Sequence, residues 1–215
     1  MLTNDYLPNT DFKIIQDDES FRINSDTEVL GSFLECHKKD LVYDFGCNNG
    51  ALMLYASLYH PKKIVGVDIN KKALELARIN LENNGVTNFE LVNADLKTLR
   101  IEEADTIICN PPYFKTEEDN LCINEDKKIA KHEYLIDLDT LVKAINLNLK
   151  DNGTLYFLFL TSRMEEVFLT FKKYNLAIKE MQMVFDENKK YSNVFMVKAR
   201  KNQKMGLRVL KPIIL

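Results

Sequence analysis

The chain has 215 residues, which is enough for one domain or two small ones, and 46% of them are hydrophobic, which is enough to bury a core. No apolar run approaches the ~20 residues of a membrane-spanning helix, and the N-terminus lacks the basic start and apolar core of a signal peptide. Taken alone, the net charge of −3 and the pI of about 5.7 argue against a nucleic-acid-binding protein, but the distribution of charge along the chain argues otherwise. We therefore expect a soluble, cytoplasmic protein with no membrane partner.

The four cysteines are widely spaced, and no two of them form a C-x-x-C pair. They are Cys36, Cys47, Cys109 and Cys122. This spacing is typical of reduced cytosolic thiols rather than of disulfides or zinc ligands. The chain also has only three histidines and no cluster of carboxylate ligands, so we expect no metal site.

The first 40 residues are predicted to form an N-terminal cover. Residues 12–15 and 20–24 are predicted to pair as a short hairpin. Ser25 and Glu28 match the S-x-x-E capping box, which predicts that a helix begins there. The apolar face of that helix would comprise Val29, Leu30, Phe33 and Leu34.

A strand, a tight loop and a helix are predicted next. Residues 41–45 form the strand and residues 51–59 the helix. The loop between them has two glycines four residues apart, Gly46 and Gly50, and with the preceding acid it matches D-x-G-x-x-x-G. The dehydrogenase fingerprint G-x-G-x-x-G would need a glycine where this chain has Asn48. Because a tight loop at the carboxyl end of a strand lets the backbone approach a cofactor closely, we expect a cofactor-binding loop here.

Carboxylates end three consecutive predicted strands. Asp44 ends the first, Asp68 ends the second at residues 64–68, and Asp95 follows the third at residues 89–93. In an open α/β sheet all three would lie on the edge that binds ligands. From these positions we expect Asp44 to accept a hydrogen bond from an ammonium group, Asp68 to bind ribose hydroxyls and Asp95 to bind an adenine amine.

The motif Asn110-Pro111-Pro112-Tyr113 follows another short apolar run, residues 104–109, which is predicted to be a buried strand. The prolines fix φ and donate no hydrogen bond, so the carbonyls of Asn110 and Pro111 are held outward. Asn110 adds an amide oxygen, and Tyr113 adds a ring on which a base can stack. This arrangement can bind both hydrogens of an exocyclic amine while its nitrogen stays free to attack. The simpler alternative is an Asn-Pro turn that ends the strand.

The rest of the chain alternates between helices and strands. The further predicted elements are a helix capped by Asn70 and stopped by Gly85, a helix at residues 138–149, a strand at 154–160, a helix behind a capping box at Ser162 and Glu165, and a hairpin of 176–185 and 192–200. This alternation predicts one three-layer α/β domain over residues 1–215. Its sheet would have seven main strands, mostly parallel, and an antiparallel C-terminal hairpin.

The C-terminal part of the chain is strongly basic. Residues 189–215 include eight lysines and arginines and no acid, so the rest of the chain has a net charge of −11. A basic end on an acidic body predicts contact with a polyanion on one face. The candidate residues for that contact are Lys201, Lys204, Arg208 and Lys211. The alternative is a solvated tail that its lysines keep soluble.

The order of these motifs resembles that of the Rossmann-like, S-adenosylmethionine-dependent methyltransferases, and N-P-P-Y after the glycine loop resembles their amino-methylating branch. Within that branch the chain is similar to the bacterial tRNA(Val) adenine-37 N6-methyltransferase family. The similarity runs through Q-D-D-E-S-F-R-I-N-S-D-T-E-V-L-G-S-F at residues 16–33, N-P-P-Y-F at 110–114 and I-A-K-H-E at 129–133, and it ends at M-G-L at 205–207 with Pro212.

The resemblance implies a three-layer Rossmann-like methyltransferase fold, the cofactor S-adenosylmethionine, and methyl transfer by a monomer to the exocyclic N6 of an adenine in tRNA, at position 37 of the anticodon loop of tRNA-Val. The implied catalytic residues are Asn110, Pro111, Pro112 and Tyr113. The implied cofactor-binding residues are Asp44, Gly46, Cys47, Asn48, Gly50, Asp68, Ile69, Asp95 and Asn110. Besides the four basic residues above, the implied RNA-binding residues are Tyr113, Phe114 and Lys131.

Two positions depart from the pattern of that family. Asn48 replaces a glycine of the loop, which affects the expected loop path and cofactor affinity, although asparagine tolerates positive φ better than most residues. Lys131 stands where arginine is commoner, so the positive charge is kept and bidentate geometry is lost. His132 is interpreted as a hydrogen-bonded structural histidine, and a catalytic histidine is the alternative. Residues 114–129, which are irregular and charged, are expected to be either a lid that RNA orders or a disordered segment.

Other functions fit parts of the pattern. Guanine also offers an exocyclic amine, so an rRNA guanine-N2 methyltransferase is an alternative. A release-factor glutamine-N5 methyltransferase could use the same motif on an amide, but those proteins usually have a longer helical N-terminal region than the 40 residues here. A non-catalytic protein that binds S-adenosylmethionine and RNA would explain Asn48. A dinucleotide oxidoreductase would leave residues 110–113 unexplained.

Overall fold

A nine-stranded mixed sheet is the centre of the computed structural model, which describes residues 3–16, 23–111 and 136–215. The strands in chain order are β1 (Thr3–Tyr6), β2 (Lys13–Gln16), β3 (Leu41–Phe45), β4 (Lys63–Asp68), β5 (Phe89–Asn93), β6 (Ala104–Cys109), β7 (Leu149–Leu160), β8 (Leu176–Phe185), β9 (Val194–Lys201), β10 (Arg208–Val209) and β11 (Ile213–Ile214). The helices are α1 (Ser25–Phe33), α2 (Ala51–Ser57), α3 (Lys71–Asn83), α4 (Leu138–Asn148) and α5 (Met164–Lys173).

The strand order of the sheet is β10-β8-β9-β7-β6-β3-β4-β5, and β11 also pairs with β8. The five strands β7-β6-β3-β4-β5 run parallel to one another. All five residues of the central strand β3 are buried, as expected for a strand with both faces covered. Because parallel strands end at a common edge, the residues that follow β3, β4, β5 and β6 lie side by side there.

The expected number of seven strands is corrected to nine. The antiparallel hairpin of β8 and β9 is confirmed, and the two additional strands, β10 and β11, each pair in parallel with two residues of β8. A strand of two residues is too short to show an alternating hydrophobic pattern, so the sequence holds no periodic signal for either. Only their pairing with β8 defines them.

Helices cover both faces of the sheet, which confirms the expected three-layer α/β architecture. Helices α1, α2 and α3 pack on one face, where Leu54 of α2 shares a core with Val42 of β3. Helices α4 and α5 pack on the other face, where Leu141 of α4 shares a core with Tyr43 of β3. Neighbouring residues of β3 therefore belong to different cores, as the alternation of side chains along a strand requires.

One of the three predicted helix caps is confirmed and two are wrong. Asn70 caps α3, and its Oδ1 accepts two backbone N–H groups of the first turn. Helix α1 is capped by Asn24 rather than by Ser25, which is the first helical residue. Helix α5 begins after a 3-10 turn, and its N-cap residue Arg163 makes no side-chain cap bond, so the predicted box at residues 162–165 does not form.

The N-terminal hairpin of the described chain is formed by β1 and β2. Strand β2 pairs antiparallel with β1, which was not among the predicted strands. Residues 20–22 lie outside the described part of the chain. The Tyr55 hydroxyl of α2 donates to the carbonyl of Pro8 in the hairpin turn at 2.8 Å. This bond ties the N-terminal hairpin to the helix that follows the glycine loop.

Cys36, Cys47 and Cys109 are buried and unbridged, and Cys122 lies outside the described residues. Within the described part of the chain, no helix has the length and apolar character needed to cross a bilayer. Within the same residues, no three histidine, cysteine or acidic side chains are grouped so that they could hold a metal ion.

Candidate active site

Four neighbouring strands bring most of the predicted site residues to one edge of the sheet. The register places Phe45, the last residue of β3, opposite both Cys109 of β6 and Val67 of β4. The glycine loop after β3, Asp68 at the end of β4 and Asn110 after β6 are therefore close in space. This is the edge at which open α/β sheets bind ligands.

The loop after β3 is held by hydrogen bonds to β4. The N–H groups of Gly46 and Cys47 both donate to the Val67 carbonyl, at 2.8 and 3.2 Å. The N–H of Asn48 donates to Asp68 Oδ2 at 2.9 Å. The acid that ends β4 therefore also fixes the path of the loop.

Three loop residues have a left-handed backbone, with φ of 76° at Gly46, 47° at Asn48 and 82° at Gly50. Asparagine tolerates this conformation, so Asn48 keeps a turn for which the resembling family uses glycine. At Gly50 a Cβ would be strained and would lie 3.2 Å from the Cβ of Ala77 on α3. Helix α3 therefore approaches the loop closely.

Asp44 is 1% exposed, and neither of its carboxylate oxygens has a hydrogen-bond partner in the described part of the chain. Burial and the nearby charge of Asp68 raise the pKa of Asp44 to about 8. A buried carboxylate is unfavourable unless a cation or a hydrogen-bond donor binds it. The sequence predicts an ammonium group at this position, and the unpartnered carboxylate fits one.

The raised pKa of Asp44 makes the stability of the ligand-free protein depend on pH. Between the ordinary value of 3.8 and about 8, the folded state keeps a proton that the unfolded chain has released, so stability falls as the pH rises. We expect Asp44→Asn to raise the free energy of unfolding by about 2–5 kcal/mol at about pH 8 and to leave it nearly unchanged at about pH 4. Urea unfolding at both pH values measures this difference, and an equal effect at both would contradict it.

Both carboxylate oxygens of Asp68 accept backbone N–H groups. Oδ1 accepts from Asn70 at 2.8 Å, and Oδ2 accepts from Asn48 at 2.9 Å. Burial raises the pKa of Asp68, and these hydrogen bonds oppose the rise. Each oxygen keeps a further lone pair, so the carboxylate is able to accept two hydroxyl hydrogens as well.

Sequence reasoning missed Asn93, the last residue of β5. Its Nδ2 donates to the carbonyls of Asp68 and Ile69 at 3.0 and 2.8 Å, which holds the end of β4 beside β5. The Ile69 side chain is 42% exposed at this edge. Asp95 is partly exposed, and its Oδ1 accepts the N–H of Lys97 at 2.8 Å. An amide side chain at the end of a predicted strand was the available signal for Asn93.

The structure describes half of the N-P-P-Y motif. Asn110 directly follows β6 and is half-buried, and Pro111 is buried. The N-P-P-Y motif therefore begins at the same edge of the sheet as the glycine loop. The predicted residues that lie outside the described part of the chain are Pro112, Tyr113, Phe114, Lys131 and His132.

Lys201, one of the predicted RNA contacts, binds backbone carbonyls of the protein itself. Its side chain is 12% exposed, and Nζ donates to the carbonyls of Asn146 and Leu149, both at 2.7 Å. These carbonyls lie at the C-terminal end of α4, where a helix leaves acceptors unpaired and its dipole favours a cation. The Lys201 ammonium group therefore binds the C-terminal end of α4.

The other three predicted RNA contacts are exposed. Lys204, Arg208 and Lys211 lie along the outer edge of the sheet, where β10 and β11 pair with β8. The side chain of Arg208 is 76% exposed and forms an ion pair with Glu180. An exposed pair of this kind contributes little to stability, so the arginine is able to exchange its partner for a phosphate.

Comparison with known proteins places this site in a family. Residues 20–170 match the model of the methyltransferase small domain. A tRNA1(Val) (adenine(37)-N6)-methyltransferase of Shewanella baltica is 30% identical over 137 residues, which cover 61% of this chain and 57% of that protein. The match thus spans less than two thirds of the Shewanella relative. A protein of the same name from Cytophaga hutchinsonii is 24% identical over 194 residues, which cover 88% of this chain and 81% of that protein.

Solved structures share the fold. The crystal structure of a predicted O-methyltransferase from Agrobacterium tumefaciens superimposes with a TM-score of 0.66 and 17% sequence identity, covering 88% of this chain and 86% of that one. At this identity the likeness shows the fold alone. Since the family model matches most of the sequence, including the glycine loop, the strand-end acids and the N-P-P-Y motif, the chain belongs to the methyltransferase small domain family.

Proposed function

We propose that this chain transfers a methyl group from S-adenosylmethionine to N6 of an adenine in tRNA. The observation that carries the proposal is the strand register, which puts Asn110 after β6 beside the glycine loop after β3. The names of the Shewanella and Cytophaga relatives support adenine 37 in the anticodon loop of tRNA-Val as the specific target.

The described residues fit S-adenosylmethionine at the edge formed by β3, β4 and β5. The unpartnered Asp44 carboxylate would bind its amino group, and Asp68 would accept its ribose hydroxyls. Ile69 would offer an apolar surface to the adenine ring, and Asp95 would accept the adenine amine. The loop backbone would approach the cofactor at Gly46, Cys47, Asn48 and Gly50. When bound, S-adenosylmethionine supplies a methyl group on a positively charged sulfur.

The N-P-P-Y residues would form an amine clamp, defined here as Asn110 Oδ1 and the Pro111 carbonyl with the Tyr113 ring. The clamp would prepare the target amine, which is a poor nucleophile because its lone pair is delocalised into the purine ring. Asn110 Oδ1 and the Pro111 carbonyl would accept its two hydrogens and so favour a pyramidal nitrogen with an available lone pair. Pro112 would keep the turn rigid, and Tyr113 would stack on the base, which contributes roughly 1–3 kcal/mol. The methylated nitrogen then loses its extra proton to water, so no general base is needed before transfer.

Nucleoside mass spectrometry tests this function, after incubation of the protein with total tRNA and isotope-labelled S-adenosylmethionine. We expect the label in N6-methyladenosine, and we expect none in a tRNA-Val transcript whose adenine 37 is replaced by guanine. Label in N2-methylguanosine would replace the adenine assignment. In a parallel incubation with a purified release factor, label in that protein and none in tRNA would replace the RNA assignment. Bound cofactor without labelled product would reduce the function to binding.

Lys204, Arg208 and Lys211 would bind the phosphate backbone of tRNA outside the active site. We expect replacement of all three by alanine to weaken tRNA binding by roughly tenfold or more and to make the logarithm of affinity fall less steeply with salt, because fewer counterions are released. Titration of labelled tRNA at several salt concentrations measures both quantities.

A matched control for this surface lies at the amino ends of two central strands, away from β10 and β11. Lys38, Lys39 and Lys62 are exposed beside the amino ends of β3 and β4. Their replacement by alanine removes the same charge and should leave tRNA affinity nearly unchanged. Equal losses in the two triple variants would show that net charge, rather than the proposed surface, governs binding.

We also propose that residues 1–215 act as a single methyltransferase domain, with residues 1–40 as a cover on the catalytic core. The hairpin and helix of the cover contact α2, which supports this division. A monomer in the cytoplasm would suffice for the reaction, because one chain supplies every proposed site residue and tRNA is a cytoplasmic substrate. Sedimentation velocity with and without tRNA tests the monomer.

A further inference from the structure

Two asparagines of the α3 region bind the backbone of β2. Asn84, the C-cap residue, accepts the N–H of Lys13 at 3.0 Å and donates to its carbonyl at 2.7 Å. Asn80, one turn earlier, accepts the N–H of Ile15 at 2.7 Å and donates to its carbonyl at 3.0 Å. Four helical residues span about 6 Å and two strand residues span nearly the same distance, so the two amides match alternate residues of β2.

These amides complete the hydrogen bonding of β2. Its other edge pairs with β1, and the asparagines bind the edge that would otherwise need a third strand. The N-terminal hairpin is therefore fastened to α3 by two equivalent contacts. Each contact has one donated and one accepted bond, so the two contribute similarly to the docking of the hairpin.

Asn80 makes one contact that Asn84 does not make. The second hydrogen of its Nδ2 is donated to the carbonyl of Asn49 in the glycine loop, at 2.9 Å. Asn80 is fully buried, and Asn49 is 2% exposed. The orientation of the Asn80 amide is fixed, because a reversed amide would place its oxygen against two carbonyls.

We infer that Asn80 is a positioning residue for the cofactor loop. The hydrogen bond from Asn80 to the Asn49 carbonyl fixes the position of that carbonyl. Asn48, the residue before Asn49, is thereby held where its N–H donates to Asp68. Ala77, three residues before Asn80 and on the same face of α3, packs against Gly50 at the end of the loop. One face of α3 thus contacts both Asn49 and Gly50 of the glycine loop. The inference rests on the proposed binding of S-adenosylmethionine.

The same amide links the loop to the N-terminal hairpin. Without Asn80, the Asn49 carbonyl and both backbone groups of Ile15 would lose a buried partner, and each buried group left unpaired is unfavourable. Without Asn84, the bonds lost among the described residues are the pair to Lys13 and the bond to the Asn80 carbonyl. The two substitutions therefore separate loop positioning from hairpin docking.

Calorimetric titration of S-adenosylmethionine into wild type, Asn80→Ala and Asn84→Ala tests the inference. We expect roughly tenfold weaker binding for Asn80→Ala and a change of less than about twofold for Asn84→Ala, because only the first loses a bond to the loop. Equal affinities for S-adenosylmethionine in the two variants would overturn the positioning role. Each variant removes an equivalent pair of bonds to β2, from Asn80 to Ile15 or from Asn84 to Lys13.

Amide hydrogen exchange of the ligand-free proteins gives a second, independent readout. The N–H groups of Asn48 and Gly50 are hydrogen-bonded within the loop region and should exchange faster in Asn80→Ala than in Asn84→Ala. Unchanged exchange at both sites would also overturn the inference. If Asn80→Ala does not fold, Asn80→Ser replaces it in both experiments. Wild type that binds no S-adenosylmethionine would contradict the proposed function, while the exchange rates would still decide the role of Asn80.

Discussion

Replacing Asn110 by alanine is expected to lower kcat for tRNA methylation by roughly 100–1000-fold, the range seen when one preorganised hydrogen bond to a reacting group is removed. The substitution removes the side-chain oxygen that would accept an amine hydrogen, and it leaves the backbone carbonyls of the motif in place. The glycine loop and the strand-end acids do not change, so affinity for S-adenosylmethionine should change by less than about threefold. Single-turnover kinetics with tRNA and calorimetry with the cofactor measure the two quantities.

Asn110→Asp is the matched variant for this experiment. It has nearly the same shape and keeps an oxygen that can accept the amine hydrogen, so it should be at least about ten times as active as Asn110→Ala. Full activity of Asn110→Ala would remove the amine clamp from the mechanism. Equal loss of cofactor affinity and activity in Asn110→Ala would assign the residue to cofactor binding alone.

Replacing Asp68 by alanine is expected to weaken S-adenosylmethionine binding by roughly 100-fold, because two hydrogen bonds from ribose hydroxyls to a charged acceptor would be lost. The loop would also lose the acceptor for the N–H of Asn48, which is 2.9 Å from Asp68 Oδ2. Activity at saturating cofactor should recover much of its wild-type value, since the amine clamp remains. Calorimetry and a cofactor titration of the rate measure these effects.

Asp105 provides the control for Asp68. It lies at the opposite edge of the same sheet, and its Oδ2 accepts the backbone N–H of Leu41 at 2.8 Å. Asp105→Ala therefore also removes a carboxylate that accepts a backbone N–H, here at the start of β3, but it does so far from the proposed cofactor. If both variants bound S-adenosylmethionine equally weakly, the effect would come from general loosening of the sheet and the ribose assignment would fail.

The assembly of the glycine loop, Asp68 and Asn110 at one edge of the sheet could be predicted because each part has a local signal. An apolar run that ends in an acid or a glycine, as at Asp44 and Asp68, predicts a buried strand and the residue that leaves it. In parallel sheets all carboxyl ends share one edge, so separate segments can be assembled without knowledge of the strand order. The structure has this arrangement, and it puts Asn110 beside the loop.

Two features could not be predicted. The role of Lys201 depends on contacts between residues far apart in the chain, and the start of α1 depends on a choice between two neighbouring residues that both cap helices well. Lys201 resembles any other lysine of a basic segment, and its carbonyl partners lie more than 50 residues earlier in the chain. At the start of α1, Asn24 and Ser25 are both good caps, so the local preference leaves the boundary open by one residue.

Asn80 did have a signal that sequence reasoning passed over. It is a polar residue on the apolar face of α3, between Ala77 and Leu81, and all three are buried. A buried amide needs partners, but its position in the helix does not say which ones. Only the fold shows that they are the N-terminal hairpin and the glycine loop.

Within the described part of the chain the Asp44 carboxylate has no hydrogen-bond partner, and this has a consequence for the abundance of the protein in the cell. In the ligand-free protein this buried carboxyl group lowers the stability of the fold, and a bound amino group would remove that cost. By mass action, the folded population would then rise and fall with the supply of S-adenosylmethionine. Under the proposed function, a shortage of S-adenosylmethionine would therefore leave more of the chain unfolded and open to proteases, and its abundance would fall.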